Sequence, residues 1–499
     1  MELLSHLQLG FETAFTLNNL LYAFIGCVLG TLIGVLPGLG PVATIAMLLP
    51  VTYGMEPTPA LIMLSSIYYG AQYGGSTTAI LVNLPGESSS VVTALDGYQM
   101  AQQGRAGVAL ATAGIGSFFA GTVSTLIVAM FAVPLTALAL DFGAADYFSL
   151  MVFGLVAAVI MAAGSLTKAL GMIIIGLLLG TIGTDVNSGV ARYTFGQLSL
   201  FEGLDFVCIA MGIFGVAEIV KNLESGDARA QGTAPVNTLW PQREDFRRMW
   251  PAILRGTGLG SLLGILPGAG ATLASFSAYS LEKKLSRHPE QFGQGAIEGV
   301  AGPESANNAA AQTSFIPLLT LGIPSSATMA MMVAAMMIHN IQPGPQVMSA
   351  NPTLFWGLIA SMWLGNLILV ILNLPLVGLW ARLLRIPYRI LYPLILVFCC
   401  IGVFSLNSSV DDIWQMVVFG LVGYLLGKLK LEAAPLLLGF VLGPLLEENL
   451  RRALLLSRGD FSVFVTRPIS ATLIGAAAVL LLLMLLPKLN RSREEVFQE

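Results

Sequence analysis

Residues 30–40 read Gly-Thr-Leu-Ile-Gly-Val-Leu-Pro-Gly-Leu-Gly, and residues 260–270 read Gly-Ser-Leu-Leu-Gly-Ile-Leu-Pro-Gly-Ala-Gly. Seven of the eleven positions are identical, and the two stretches lie 230 residues apart in a chain of 499. Agreement of this kind at half the chain length indicates an internal repeat, in which each half of the chain forms one structural unit.

A second, fainter match follows each of these stretches. Residues 83–90 read Asn-Leu-Pro-Gly-Glu-Ser-Ser-Ser, and residues 322–328 read Gly-Ile-Pro-Ser-Ser-Ala-Thr. The two prolines, Pro85 and Pro324, lie 239 residues apart, nine more than the first offset. The second half therefore carries additional residues, and we expect them in the polar segment 282–294.

The composition indicates a protein whose surface faces lipid. Hydrophobic residues make up 55% and charged residues 10% of the chain, whereas soluble proteins contain about 25% charged residues. Apolar runs such as 106–140, 148–179 and 354–377 are long enough to cross a bilayer. They are continuous rather than alternating, which favours helices over a β-barrel. We predict an all-α polytopic membrane protein with roughly 10–12 transmembrane helices, some of them broken or re-entrant.

Several other classes of protein are not expected. The formal net charge is −4 without a basic stripe, so nucleic acid is not a predicted partner. The four cysteines stand in apolar runs without metal-ligand spacing, which predicts neither a metal site nor a disulfide. Neither H-E-x-x-H nor a P-loop occurs, so we predict no enzymatic activity, no cofactor and an ion gradient as the energy source.

Polarity divides the chain into two membrane halves. We predict a first repeat half at 1–220, a polar cytoplasmic linker at 221–250, a second repeat half at 251–487 and a polar tail at 488–499. The linker, the flanks of the second motif and the tail are rich in Lys and Arg, which places them in the cytoplasm. Only Glu12 and Glu56 flank the first motif, so the two repeats are predicted to be inverted.

The Pro-Gly-x-Gly sequence in each copy predicts a break in a membrane helix, because proline removes a donor and glycine allows unusual dihedral angles. Such breaks are tolerated where they are buried in protein or line a wet cavity. The freed N–H and C=O groups can bind an anion and a cation. The alternative is close helix packing at small residues. The candidates are Gly38, Gly40, Gly268 and Gly270 for substrate, and Thr44 and Thr272 for an ion.

Hydroxyl groups follow the second proline in both halves, as at the tip of a hairpin that enters the membrane. Their O–H donors suit a carboxylate, and their oxygens suit Na⁺. The alternative is an ordinary helix N-cap. The candidate substrate ligands are Pro85, Gly86, Ser88, Ser89, Pro324, Ser325 and Ser326, and the candidate ion ligands are Asn83 and Thr328.

A third polar stretch, residues 302–309, contains a Glu and two adjacent Asn. Asn307 and Asn308 are candidate ion ligands, and the alternative is a solvated loop at the start of a helix. Glu87 and Asp96 are candidate ion- or proton-linked groups, unless they simply face water. The polar and aromatic residues of 68–75 are expected either to line a cavity or to lie at the membrane interface.

These motifs together resemble one known family. The paired Gly-x-Leu-x-Gly-x-Leu-Pro-Gly-x-Gly stretches and residues 69–76, 84–87 and 302–308 are similar to those of the large membrane subunit of tripartite tricarboxylate transporters. The resemblance extends over residues 20–486, nearly the whole chain.

The resemblance implies a multi-pass protein of the bacterial inner membrane that works with a periplasmic solute-binding protein and a small membrane subunit. It implies uptake of a di- or tricarboxylate such as citrate, driven by a cation gradient, with Na⁺ expected and H⁺ as the alternative. It also places the broken-helix motifs and hairpin tips in the transport core. Fold-level analogy suggests an elevator-like movement of that core. The alternative function is a self-sufficient carboxylate carrier without a binding protein.

Overall fold

Helices account for almost all of the regular structure. The protein is represented by a computed structural model, which describes residues 2–36, 40–84, 86–162, 165–185, 188–224, 236, 239–266, 268, 270–383 and 388–484. Over these ranges the strands are β1 (Gly183–Thr184) and β2 (Ala191–Arg192), which pair as an antiparallel hairpin. The predicted all-α fold is therefore confirmed.

The first half of the chain contributes helices α1 to α10. Their bounds are α1 (Glu2–Ala14), α2 (Leu17–Val35), α3 (Pro41–Thr52), α4 (Pro57–Val82), α5 (Val91–Met100), α6 (Ala106–Leu140), α7 (Ala144–Met161), α8 (Leu166–Leu179), α9 (Phe206–Ala210) and α10 (Ala217–Glu224). A 3-10 turn at Ser88–Ser90 precedes α5. π-helical segments at Ala101–Arg105 and Met211–Val216 join α5 to α6 and α9 to α10.

The second half contributes helices α11 to α23. Their bounds are α11 (Arg243–Ile265), α12 (Gly270–Leu285), α13 (Glu298–Thr313), α14 (Phe315–Leu321), α15 (Ala327–Ile338), α16 (Gln346–Ala350), α17 (Pro352–Asn373), α18 (Val377–Leu383), α19 (Tyr388–Asn407), α20 (Val410–Lys428), α21 (Ala433–Leu456), α22 (Val463–Thr466) and α23 (Pro468–Met484). A 3-10 turn at Pro289–Gln291 lies between α12 and α13.

Helix lengths and hydropathy support a polytopic membrane protein. In the described part of the chain, six helices are long and apolar enough to cross a membrane. They are Leu17–Val35, Ser88–Leu140, Phe206–Glu224, Pro352–Asn373, Val410–Lys428 and Ala433–Leu456. Shorter apolar helices, including α3, α7, α8 and α15, pack among them.

The internal repeat appears in the packing of the helices. In α2, glycines stand at every fourth position from Gly26 to Gly34. Each lies so close to α4 that an added Cβ would collide with the backbone of α4. The same holds for α11, from Gly256 to Gly264, against α13. The contacts are Gly26–Met63, Gly30–Ile67 and Gly34–Ala71, and then Gly256–Gly302, Gly260–Ala306 and Gly264–Ala310. The glycines of the second half lie 230 residues after those of the first half, and the residues that they contact lie 239 residues later. These are the two offsets found in the sequence.

Helices α11 and α12 pack against each other on either side of the second broken-helix motif. Arg255 of α11 donates two hydrogen bonds to the Glu282 carboxylate of α12, at 2.8 and 2.5 Å. These residues stand at similar distances on either side of the break near Gly268, so the two helices run antiparallel. Near the start of α11, Arg248 donates to Glu298, and these hydrogen bonds raise the pKa of the guanidinium above its usual value.

The two halves interlock, since α13 of the second packs along α6 of the first. Helical structure also extends into the stretch 221–250 that was expected to be a linker. Helix α10 continues to Glu224 and α11 begins at Arg243. The charged residues there stand at helix ends that extend beyond the apolar segments, which is compatible with both helix formation and solvation. The predicted boundaries of the two halves stay predictions, and the tail at 488–499 lies outside the described residues.

Candidate functional site

A cavity of about 830 Å³ lies where the broken-helix segments and hairpin tips of both halves meet. Its volume is within the range of small-molecule sites. Residues of α10 and α21 complete the wall. The lining includes nine of the residues predicted from the sequence: Gly40, Gly86, Ser88, Ser89, Gly268, Gly270, Thr272, Ser326 and Thr328.

Several helices begin at this cavity. Helix α3 begins at Pro41 after Gly40, α12 begins at Gly270, and α15 begins after Ser326. The first residues of all three line the cavity, as do those of α21. The first N–H groups of a helix have no partner within the helix, and they carry a partial positive charge. Helix starts from both repeats therefore bring N–H donors to one cavity.

Direct contacts join the two repeats at the cavity. The hydroxyls of Ser88 and Thr272 are 2.8 Å apart. Within the second repeat, the N–H of Gly268 donates to the carbonyl of Ser325 at 2.8 Å, which holds the helix break against the hairpin tip. Gly268 has φ +80° and lies so close to Ala158 of α7 that a Cβ would collide, so this position requires glycine.

Three predicted residues lie close behind the cavity. Thr44 is buried one turn into α3, where its hydroxyl donates to the Gly40 carbonyl at 3.0 Å. Pro324 is buried, and so is Ser325, whose Oγ has no hydrogen-bond partner among the described residues. Ser326 caps α15 by accepting from the Met329 N–H, so the N-cap interpretation is correct for this residue, which also lines the cavity.

The remaining predicted residues have other positions. Asn83 is the exposed C-cap of α4, with φ 56°, and does not line the cavity. Asn308 faces α6, where it donates to Ser117 Oγ at 2.7 Å. Gly38 and Pro85 lie outside the described residues.

Glu87 brings a carboxylate to the cavity wall. Ser89 donates to it at 2.5 Å and Asn307 at 3.3 Å. The side-chain amide of Gln72, oriented as donor, also contacts Glu87 and lies 2.7 Å from Asn307 Oδ1. The interpretation of Glu87 as an ion- or proton-linked group is compatible with this geometry, because the partners are neutral. They connect the first hairpin tip to α4 and α13.

Glu304 is the glutamate of the polar stretch 302–309, from which only Asn307 and Asn308 are named above as ion ligands. It stands in α13 and is 0% exposed, and it accepts hydrogen bonds from Ser76 at 2.6 Å and from Thr93. The alternative of a solvated loop at 302–309 is wrong, because the whole stretch is helical and buried. An ionisable residue inside a membrane-embedded helix is a signal for function in its own right.

Asp96 is buried and is not among the residues that line the cavity. Its Oδ1 accepts from the backbone N–H groups of Gly293, Gly295 and Ala296 at 2.8–2.9 Å. Its Oδ2 accepts from the Tyr279 hydroxyl at 2.9 Å. These partners assign Asp96 a structural role in holding the segment between α12 and α13. Sequence reasoning could not separate it from Glu87, since both are acidic residues beside a hairpin.

The polar and aromatic face of α4 is inside the protein. Tyr68 and Gln72 line the cavity, and Tyr73 donates to Asn366 of α17 at 2.7 Å. All three are at most 4% exposed. The cavity interpretation is therefore correct for Tyr68 and Gln72, and the interfacial belt is wrong for this segment.

The comparisons with known proteins agree with this geometry. A family model described as the tripartite tricarboxylate transporter TctA family matches residues 20–438. The chain belongs to this family. It is a membrane transporter subunit, as the motifs indicated, and it corresponds to the large membrane subunit of the tripartite system.

Relatives of this TctA-family chain occur in Agrobacterium vitis. One, described as an uncharacterized 52.8 kDa protein in the TAR-I ttuC′ 3′ region, is 61% identical over 499 residues, covering 100% of this chain and 99% of the relative. A second, from the TAR-II ttuC′ 3′ region, is 61% identical over 240 residues, covering 48% of this chain and 99% of the relative. No solved structure matches the chain.

Proposed function

We propose that this chain is the translocating subunit of a binding-protein-dependent carrier that takes up di- or tricarboxylates, driven by a cation gradient. The observation that supports it is the convergence of helix starts from both repeats on one cavity of about 830 Å³. A carboxylate at a helix N-terminus gains about 0.3–1 kcal/mol when exposed and up to ~2 kcal/mol when partly buried. Several such helix ends together can bind a ligand with more than one carboxylate.

The charges in the cavity favour entry of the substrate with cations. Among the described lining residues Lys221 is the basic side chain, whereas Glu87, Glu218 and Glu432 are acidic. A di- or tricarboxylate would add negative charge to a site that already holds carboxylates, and repulsion at short range is strong in a medium of low dielectric. Accompanying Na⁺ ions, or protons, would remove this penalty.

The family supports the proposed partners and location. A tripartite system needs a small membrane subunit and a solute-binding protein, and a binding protein of this kind works in the periplasm of a bacterium. This chain would then lie in the inner membrane and receive the carboxylate from the binding protein. Selection of the carboxylate is shared between that protein and the cavity.

Uptake into proteoliposomes tests this function. The purified chain with its small subunit is reconstituted, and citrate or another labelled carboxylate is supplied with and without the candidate binding protein under a Na⁺ gradient. We expect uptake that requires both the gradient and the binding protein. Uptake without the binding protein would instead identify a self-sufficient carrier, and uptake without any cation gradient would contradict the coupling.

A pair of threonine variants tests the cavity. Thr272→Val removes a hydroxyl that lines the cavity, and we expect the half-saturating carboxylate concentration to rise about tenfold, the loss of ~1.4 kcal/mol. Thr257→Val removes a buried hydroxyl that donates to the Ile253 carbonyl within α11. This control should leave the concentration unchanged. Equal half-saturating carboxylate concentrations for the two variants would show that the carboxylate binds elsewhere.

A further inference from the structure

A second, much smaller cavity of about 20 Å³ lies between α4, α6 and α17. This volume is sufficient for one water-sized occupant. Five of its lining residues carry side-chain oxygen atoms: Tyr73, Ser76, Thr77, Ser117 and Asn373. None of them was a predicted ion ligand, and none lines the large cavity.

The hydroxyl protons of α4 at this cavity are already used elsewhere. Ser76 donates to Glu304 at 2.6 Å, and Tyr73 donates to Asn366 at 2.7 Å. The hydroxyl of Thr77 donates to its own helix, to the carbonyl of Tyr73. A hydroxyl has one proton and two lone pairs. Each of these groups can therefore still offer an oxygen lone pair to an occupant, but not a proton.

Asn373 provides an acceptor without a partner. The residue is 6% exposed, and its Nδ2 donates to the Leu369 carbonyl at 2.9 Å and to Thr31 at 3.4 Å. Its Oδ1 has no hydrogen-bond partner within the described ranges. A buried amide oxygen without a partner costs about 1–3 kcal/mol. A ligand that accepts electron pairs would remove this cost.

A buried carboxyl group stands directly beside the small cavity. Glu304 accepts a hydrogen bond from the hydroxyl of Ser76, which lines it. The ion pairs found among the described residues include neither Glu304 nor Glu87. A buried carboxylate without a compensating cation costs several kcal/mol in effective desolvation. The site therefore combines acceptor oxygens, one unsatisfied amide and an uncompensated charge.

We propose that the small cavity binds one Na⁺ ion through the side-chain oxygens of Ser76, Thr77, Ser117 and Asn373, which compensates the charge of Glu304. Hard cations bind to oxygen ligands of this kind. The residues at the small cavity support binding of the ion, whereas its role as the coupling ion rests on the function proposed above.

The hydrogen bonds show how this ion would act on the substrate site. Glu304 also accepts from Thr93 of α5, the helix that follows the first hairpin tip. One turn further along α13, Asn307 donates to Glu87, which lines the large cavity. An ion that fixes Glu304 thus holds α4, α5 and α13 together around the tip. Binding of the ion then changes the affinity for the carboxylate by the same factor by which the carboxylate changes the affinity for the ion.

Thermal unfolding of the purified full chain tests the ion site without any carboxylate. The measurement compares NaCl with KCl at equal ionic strength, because a ligand that binds the folded state raises the apparent Tm with concentration. We expect a saturable, Na⁺-specific increase. Asn373→Ala and Ser117→Ala should each raise the half-saturating Na⁺ concentration at least tenfold. Thr125→Ala, which removes a buried hydroxyl from the same helix as Ser117 away from the cavity, should leave it unchanged.

Glu304→Gln separates ion binding from a purely structural role. In Na⁺-free buffer this variant should unfold at a higher temperature than the wild type, because the neutral amide needs no cation, and added Na⁺ should have no further effect. A wild type that does not respond to Na⁺ would overturn the proposal. Variants at Asn373 and Ser117 that behave like Thr125→Ala would also overturn it. The same holds if protonation at lower pH fully reproduces the effect of Na⁺ on the Tm.

The proposed function and the ion site can fail separately. Na⁺-dependent stability that is lost in the cavity variants, without carboxylate uptake, supports the site and contradicts the function. Na⁺-driven uptake that Asn373→Ala leaves unchanged supports the function and contradicts the site.

Discussion

Asp96 and Glu304 are both fully buried carboxylates, but their partners give them different roles. Asp96 accepts from three backbone N–H groups and a tyrosine hydroxyl, which satisfy both of its oxygens. Glu304 accepts from the hydroxyls of Ser76, which lines the small cavity, and of Thr93. Backbone donors cannot be released without unfolding the segment, whereas hydroxyls can turn to another partner. The first arrangement suits an anchor and the second suits a site that exchanges a ligand.

Asp96→Asn tests the anchor. Its amide nitrogen would face donors in place of an acceptor, and we expect the free energy of unfolding to fall by about 2 kcal/mol, since a buried hydrogen-bonding group left unsatisfied costs about 1–3 kcal/mol. Unfolding by SDS titration measures the change. The exposed Asp141→Asn is the control and should have no effect. The half-saturating Na⁺ concentration of folded Asp96→Asn should equal that of the wild type, and an increase would mean that Asp96 belongs to the ion site.

At the scale of the element, small residues determine how the long helices pair. Helix α2 packs on α4 and α11 packs on α13 through glycines at every fourth position, which allow the backbones to approach closely. Small residues at the contact are favoured in membranes because lipid provides no hydrophobic force between helices. Close packing is the alternative explanation for the glycine motifs. Close packing is found at Gly260, whereas Gly270 lines the cavity, and its role as a substrate ligand stays a prediction.

A comparison of two glycines in α11 tests this packing. Gly260→Ala should destabilise the protein by about 1–3 kcal/mol, because the added Cβ meets the backbone of Ala306 and the helices must separate. Gly258 is exposed and has nothing within 4 Å of an added Cβ. Gly258→Ala should therefore be neutral or slightly stabilising through helix propensity. Unfolding of both variants by SDS titration measures the change in stability. Similar losses of stability would mean that helix propensity, rather than the contact with α13, determines the effect.

At the scale of the whole molecule, the charges predict the sidedness of the cavity. Lys221 lies at its rim and belongs to the basic region expected in the cytoplasm. The membrane-spanning stretch Phe206–Glu224 leads from this region to the opposite side, where the β-hairpin is held by ion pairs of Arg192 with Glu447 and of Asp185 with Arg451. The hairpin would then face the periplasm, and the large cavity would open toward the cytoplasm.

Single cysteines test this orientation. In a variant without the four native cysteines, Phe195→Cys, just after the hairpin, where the native side chain is 87% exposed, should react with a membrane-impermeant maleimide added to spheroplasts. Lys221→Cys should react only after the membrane is made permeable. The reverse pattern would invert the topology, and labelling of both from outside would place the cavity mouth in the periplasm.

The sequence by itself determined the membrane class, the repeat with its two offsets, the breaks and the family, because each depends on residue type and spacing along the chain. It also identified nine residues of the cavity wall, since both repeats carry the same motif. Only the tertiary structure separated Asp96 from Glu304, moved Asn83 and Asn308 away from the large cavity, and brought Asn373 beside Ser117. Those distinctions depend on which helices meet across hundreds of residues, and a polar side chain acquires its role from the partners that packing provides.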